Sequence, residues 1–412
     1  MPIQIDQDLL VSELETLAAI SDADPPAVTR IVFTPTDLKA RAWLIRRCEE
    51  AGLTVRQDAI GNIFARWVGS RPGAAVVASG SHIDAIPNAG KYDGVVGVLG
   101  GLEAIRALRR SGFRPVNSIE LLVFTSEEPT RFEIGCLGSR LLSGALSADA
   151  AKRLTDSDGE SAEQVRLQAG FHGELDEVKL PKGYYKAFVE LHIEQGPLLE
   201  RQQIPLGVVV KIAAPASFRI IIDGVGGHAG AVLMRDRRDA LCAAAALIVA
   251  IEHAARNIGT PDTVATVGVC EVFPGAVNSI PSRVQLSLDI RDTDAGRRDE
   301  VMRAIRSASE ALSRERQVSV QYDLRNADAP ADCATEVVEA IRNSCQAHGL
   351  KHLSMISRAY HDCLFMARIA PAGMLFIPCR HGHSHRPDEY ASPEDIARGA
   401  LVLAEALARL SE

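Results

Sequence analysis

The sequence predicts an α/β fold, and three observations carry that prediction. Largely apolar segments of strand length recur at 74–79 and at 119–125, the latter broken only by Glu120 before Thr125, segments of helical period lie between them, and the rhythm changes over 213–326. Strands that are apolar at nearly every position, rather than at alternate ones, belong in a sheet covered on both faces, which is the usual setting of parallel strands.

Taken in order, 37–51 has helical spacing (Leu38, Ala42, Leu44, Ile45) and is stopped by Gly52, and 54–67 reads as a hairpin turning at Gly61 and Asn62. The 94–110 segment places Val98, Leu102, Ile105 and Leu108 on one helical face, and 188–193 reads as a further strand, one that contains His192. From 213 to 326 the expected order is strand 219–223, helix 238–256, strands 264–272 and 283–290, helix 297–315 and strand 318–322. That β-α-β-β-α-β order is ferredoxin-like, four antiparallel strands with two helices on one face. Helices 335–348 and 361–369 and strand 374–378 restore the α/β rhythm, and a last helix opens at Ser392 with Pro393 at its first position and acids behind it. The expected organisation is one discontinuous domain, 1–212 with 327–412, built on a mixed, mostly parallel sheet covered by helices and interrupted by a smaller α+β domain at 213–326.

The chain has 412 residues with 45 Lys+Arg against 53 Asp+Glu, a net charge of −8, and no basic block, which argues against a nucleic-acid partner. Hydrophobic residues at 47% and charged ones at 24% are ordinary for a folded chain and exclude disorder, collagen and coiled coil. The longest apolar run, 240–251, is bounded by Asp239 and Glu252, shorter than the roughly 18 residues of a membrane span, so no membrane partner is expected. Residues 1–15 show neither a basic leader nor an apolar stretch, so a cytoplasmic location is expected. The 8 cysteines show no CxxC pairing and read as reduced core residues.

Chemistry concentrates where the apolar strands end. His82 and Asp84 follow the 74–79 run, Glu127 and Glu128 follow 119–125, His192 with Glu194 and Gln195 closes 188–193, and His381, His383 and His385 follow 374–378. Asp93 joins them from the start of the 94–110 helix. In an open α/β sheet the carboxyl ends of the strands form the ligand crevice, so these distant residues converge. So many imidazoles and carboxylates in one place call for divalent cations, and nitrogen and oxygen donors without thiolates suit Zn, Mn, Co or Ni, with ligands enough for two ions bridged by a carboxylate. His82 ligates through one ring nitrogen while Asp84 accepts from the other and fixes the tautomer. Of two consecutive glutamates, one coordinates and the other faces a bound water as general base. The residues by themselves point to metal-dependent hydrolysis.

Several segments carry a resemblance to a known family. GSHIDAIPNAGKYDG (80–94), FTSEEPTRFEIGCLGSRLL (124–142), ELHIEQGPLLE (190–200), GGHAGAVLM (226–234), PGAVNSIPS (274–282), LDIRD (288–292), SRAYHD (357–362) and IPCRHGHSHRPDEY (377–390) resemble the M20 metallopeptidase-like amidohydrolases of the hydantoinase/carbamoylase branch. SEEPTRF, IAAPAS, HAGAVLM and SRAYHD look most like the ureidoglycolate amidohydrolases of that branch.

The resemblance implies that His82 and His192 bind one metal ion, Glu128 and His385 the other, and Asp93 bridges them. It makes Glu127 the general base, Asp84 the partner of His82, and His385 rather than His381 or His383 the ligand in its loop. It implies that 213–326 is a dimerisation or lid domain whose His228 reaches an active site, that of the partner subunit, to stabilise an oxyanion. Asn278 and Arg291 would hold a substrate carboxylate, with Gln195, Tyr360 and His361 as further substrate contacts. The implied enzyme is a homodimer with two divalent ions, Mn²⁺ above Zn²⁺, Co²⁺ or Ni²⁺, hydrolysing the linear amide of a small-molecule ureido acid. Ureidoglycolate is the leading substrate. N-carbamoyl-L-amino acids, allantoate and N-carbamoyl-β-alanine are alternatives, and a dipeptidase or a non-catalytic ureide-binding protein are the further rivals.

Overall fold

Four parallel strands, Ala372–Ile377, Tyr185–Ile193, Val76–His82 and Ile119–Phe124, lie side by side in that order in the computed structural model, which describes residues 2–71 and 73–412. Val76–His82, Ile119–Phe124 and Ala372–Ile377 are buried at every position, as strands covered on both faces require. Antiparallel strands flank them: Leu206–Ile212 beside Ala372–Ile377, and Ile63–Trp67 followed by Thr54–Gln57 beyond Ile119–Phe124. The sheet is thus mixed, its four central strands parallel and the strands named beside them antiparallel.

The covering helices include Val95–Ser111 and Pro393–Ser411, which share one apolar core with the sheet. Glycines set how closely Val95–Ser111 approaches. A Cβ at Gly97 would lie 2.3 Å from the Leu191 carbonyl oxygen, so only glycine lets the helix rest on that strand. Gly94, at φ 66°, turns the chain into the helix, and a Cβ there would meet the His82 ring at 2.4 Å. The close approach delivers Asp93 to the sheet edge. Pro35–Glu50 starts two residues before the expected 37–51 because Thr34 caps it, accepting from the Asp37 amide. Pro393–Ser411 opens as expected, with Ser392 accepting from Asp395.

Some elements depart from the sequence reading. Gln7–Ala18, Ala85–Ala89, Leu206–Ile212 and His352–Ser357 were not anticipated, being short or only weakly periodic. The helix expected at 361–369 is only Asp362–Met366, continued by single turns up to Pro371, which cannot extend it.

The chain divides into two compact units, one running up to Val210 and including Asp332–Met355 and His361–Glu412, the other Lys211–Ala331 with Ile356–Tyr360. The sequence reading had kept 356–360 with the first unit. They belong to the second because Ser357 accepts from the Ala213 amide at 2.8 Å and Arg358 pairs with Asp262. In the second unit the strands run Val264–Phe273, Arg283–Asp292, Ala214–Asp223, Ser319–Ala327, all antiparallel, with Ala240–Ile258 and Ala295–Arg316 packed on one face. This is the ferredoxin-like order.

Ala240–Ile258 is longer than the apolar run suggested. Its 19 residues, at mean hydropathy 1.4, would suffice by length and composition alone to cross a membrane. Instead Ala240, Ala243, Ala244, Leu247, Ile251 and Ala255 pack into the core of the unit, while Glu252 and Arg256 pair on its outer face.

Candidate active site

The sheet edge of the first unit gathers the donors. His82 ends its strand with Nδ1 3.1 Å from the backbone carbonyl oxygen of Asp84, and His192 places Nδ1 2.9 Å from the carbonyl of Ile193. With Nδ1 held by a carbonyl, Nε2 is the ring nitrogen each histidine turns toward its neighbours. Both Nε2 atoms face Asp93 Oδ1, at 3.7 Å from His82 and 3.2 Å from His192. The other Asp93 oxygen, Oδ2, faces His385 Nε2 at 3.5 Å, and that nitrogen lies 3.2 Å from Glu128 Oε1.

One carboxylate therefore stands between two donor groups, His82 with His192 and Glu128 with His385, and within each group the donor atoms, Asp93 included, lie within 4.8 Å of one another. Ligand bonds of about 2.0–2.2 Å place tetrahedral ligand atoms roughly 3.3–3.5 Å apart, so these separations suit shared ions. His82, Asp93, Glu128 and His192 are all buried, where uncompensated charge is costly. The donor set fits a dinuclear metal site.

Asp84 corrects the sequence reading. Its carboxylate is 3.7 Å from His82 Nδ1, behind its own backbone carbonyl, and instead accepts the amides of Glu127 and Glu128 at 3.2 and 3.0 Å. It fixes the glutamate pair rather than the imidazole. Burial pushes its carboxyl up to about 6.

Glu127 turns Oε2 toward His82 Nε2 at 3.7 Å, and its Oε1 accepts from the Cys136 thiol at 3.3 Å. Burial, then the negative neighbours Glu128 and Asp362, push its carboxyl well above the usual range. Burial acts on Asp93 in the same direction, but the His192 hydrogen bond and the charges of His192, His82 and His385 outweigh it and hold that carboxyl well below.

The remaining expected residues fall in two places. Gln195, at φ 55°, donates from Nε2 to Asp93 Oδ2 at 2.6 Å. His361 is buried, its ring 4.4 Å from that of His192 and 5.8 Å from Phe376. Its ring thus flanks that of His192. His381 is largely exposed, and His383 lies 3.1 Å from Asp388.

His228, Asn278, Arg291 and Tyr360 lie in the second unit. Gly227–His228 pairs with Ser279–Ile280, and the Asn278 carbonyl accepts from the Ala229 amide at 2.8 Å, so His228 and Asn278 share one corner of that unit. Arg291 donates to Asp289 at 2.7 Å and stacks 5.4 Å over the Tyr360 ring.

Sequence reasoning passed over Glu190, which accepts from Ser81 Oγ at 2.8 Å and the Cys363 amide at 2.9 Å, and Asp362, which accepts from Ser139 at 2.5 Å. A signal for Glu190 existed: on a strand it shares the face of His192, two residues on.

Comparison with known proteins agrees with this geometry. Residues 78–409 match the family described as peptidase family M20/M25/M40. The chain is 50% identical to a ureidoglycolate hydrolase of Oryza sativa subsp. japonica, over 100% of this chain and 86% of that one. It is 38% identical to an N-carbamoyl-L-amino acid amidohydrolase of Geobacillus stearothermophilus, over 99% of each. The crystal structure of AtUAH in complex with (S)-hydroxyglycine superposes with a TM-score of 0.92 at 48% identity, covering 99% of this chain and 98% of that one. A fold, a buried histidine and carboxylate cluster and this similarity along nearly the full length agree: the chain belongs to the M20/M25/M40 peptidase family.

Proposed function

We propose that this protein is a dinuclear amidohydrolase that cleaves the linear amide of a ureido acid, with ureidoglycolate as the preferred substrate and glyoxylate, ammonia and carbon dioxide as the final products. The observation that carries the reading is Asp93, whose two oxygens face separate donor groups beside the buried Glu127. The ureidoglycolate hydrolase relative and the hydroxyglycine held by AtUAH support this substrate, because hydroxyglycine is the amine left when water splits the amide of ureidoglycolate.

His82 and His192 would hold one ion, Glu128 and His385 the other, and Asp93 both; Mn²⁺ is the expected cation. Such ions supply a Lewis acid for the carbonyl and lower the pKa of water from 15.7 toward about 7. Glu127 would take a proton from the attacking water and return it to the nitrogen that leaves. Asp84 keeps that carboxylate in place through the Glu127 and Glu128 amides. His228 stabilises the oxyanion, and Arg291, whose planar fork matches a carboxylate, holds the substrate acid with Asn278.

In this reading His228 serves the partner subunit of a homodimer formed through 213–326. Support comes from the second unit's own surface, where Val277 is wholly exposed and Met234, Leu233 and Phe273 are exposed near His228 and Asn278 in sequence, an apolar patch that association would cover. A cytoplasmic setting suits 8 cysteines that are all unpaired.

A second reading, hydrolysis of N-carbamoyl-L-amino acids, is favoured by the Geobacillus stearothermophilus relative. The deciding experiment is a turnover panel of ureidoglycolate, allantoate, N-carbamoyl-L-amino acids and N-carbamoyl-β-alanine with Mn²⁺ restored. Ureidoglycolate is expected to give the highest kcat/KM, and no turnover of any ureide would end the proposal.

A further inference from the structure

We propose that Glu389, acting through Ser384, is a positioning residue that orients the bridging carboxylate of Asp93 and thereby sets how tightly the cation pair is held. The inference rests on the dinuclear reading above and deepens it.

Glu389 is the buried residue in an otherwise open loop: Arg386, Pro387, Asp388 and Tyr390 are exposed, while Glu389 is 4% exposed. Burying a carboxylate there is unfavourable unless it is fully hydrogen-bonded. It is: Oε1 accepts the amides of Tyr92 and Asp93 at 2.8 and 3.1 Å, and Oε2 lies 2.9 Å from Ser384 Oγ. The same Ser384 hydroxyl also reaches Asp93 Oδ2, so its single proton is shared between the two carboxylates and ties them together. Gly90 completes the seat, since a Cβ there would fall 2.3 Å from Glu389 Cβ.

Two segments far apart in sequence are joined in this way. One carries Asp93, the other carries His385, whose side chain is half exposed at φ 59° and has few restraints of its own. Glu389 grips the Asp93 backbone from one side and, through Ser384, its Oδ2 from the other. A carboxylate must hold a fixed rotation to offer Oδ1 to one donor group and Oδ2 to the second, and this clamp supplies the restraint. Partners lying behind metal ligands commonly change metal affinity or activity by about 10–100-fold when removed.

The test is calorimetric titration of Mn²⁺ into chelator-stripped wild type, Glu389→Ala, Glu389→Gln and Ser384→Ala, with thermal unfolding of each metal-free protein alongside. Glu389→Ala is expected to weaken Mn²⁺ binding by about 10–100-fold. Glu389→Gln should weaken it less, because its carbonyl oxygen still accepts the Tyr92 and Asp93 amides, and Ser384→Ala should fall between them and wild type. A purely structural role would lower the metal-free unfolding temperature and leave Mn²⁺ affinity within twofold of wild type, which overturns the inference. If Glu389→Ala does not fold, Ser384→Ala decides alone, because it removes only the hydroxyl, and unchanged affinity there is equally fatal. Wild type that binds no divalent cation would sink the dinuclear reading itself, a result distinct from variants that match a metal-binding wild type.

Discussion

The two units treat polar side chains in opposite ways. In the first, His82, Asp84, Glu128, Glu190, His192 and Asp362 are buried at one sheet edge, each held by hydrogen bonds or by an oppositely charged neighbour. In the second, the residues expected to act, His228 on a short exposed strand and Asn278 on the turn before its partner strand, are open to solvent, as is Val277. A parallel sheet covered on both faces leaves only its strand ends for chemistry, and burial there fixes donors before any ligand arrives. A two-layer sheet with helices on one face leaves polar residues exposed on the other. The contrast separates a buried, hydrogen-bonded cluster from residues open to solvent.

The sharpest way to break that contrast is Glu127→Gln. It should lower kcat by about 10²–10⁴-fold while metal analysis still finds two ions per chain; near-normal turnover would place the base elsewhere. His228→Ala should lower kcat by roughly 10²–10³-fold with Mn²⁺ affinity unchanged, since a single oxyanion donor is worth that much. Unaltered turnover would reduce the second unit to a scaffold. Stripping metal with a chelator should abolish activity and lower the unfolding temperature, because an ion at 100 times its Kd adds about 2.7 kcal/mol, and Mn²⁺ should restore both.

The smallest effect concerns pH. Burial pushes Asp58 in the first unit up to about 6, so its folded value lies above its unfolded one. Its contribution to stability is complete below about pH 4 and is lost as pH rises through about 6. In the second unit burial would also raise Asp292, yet Arg297 and Thr263 hold it below the ordinary value, so its contribution is present above about pH 4 and is lost on acidification. Asp58→Asn should therefore flatten the fall in stability between pH 4 and 6 by on the order of 1–2 kcal/mol, and Asp292→Asn should remove a loss at lower pH. Urea melts across that range would show the two opposite slopes, or their absence.

The parallel strands were legible because a largely apolar run has few other fates, and the second unit because six elements in β-α-β-β-α-β order leave one arrangement. The ligand candidates were legible because histidines and carboxylates followed those runs. What stayed hidden was local. Asp84 looked like the partner of His82, but two residues on it faces the turn that carries Glu127, and its own carbonyl reached the ring first. Gln195 and Glu389 gave no sign that both serve Asp93, since their contacts bridge about a hundred and about three hundred residues.

By itself the sequence determined the fold class, the strand ends that bear chemistry and the residue types able to hold cations, all consequences of short-range pattern and composition. Only the tertiary structure decided which oxygen of Asp93 faces which histidine, what Asp84 holds, and how a buried glutamate in an exposed loop reaches the centre. Those facts depend on strand register and helix approach between distant segments, down to a glycine that brings a helix onto Leu191, and no local pattern encodes a contact whose two halves are fixed by separate parts of the core.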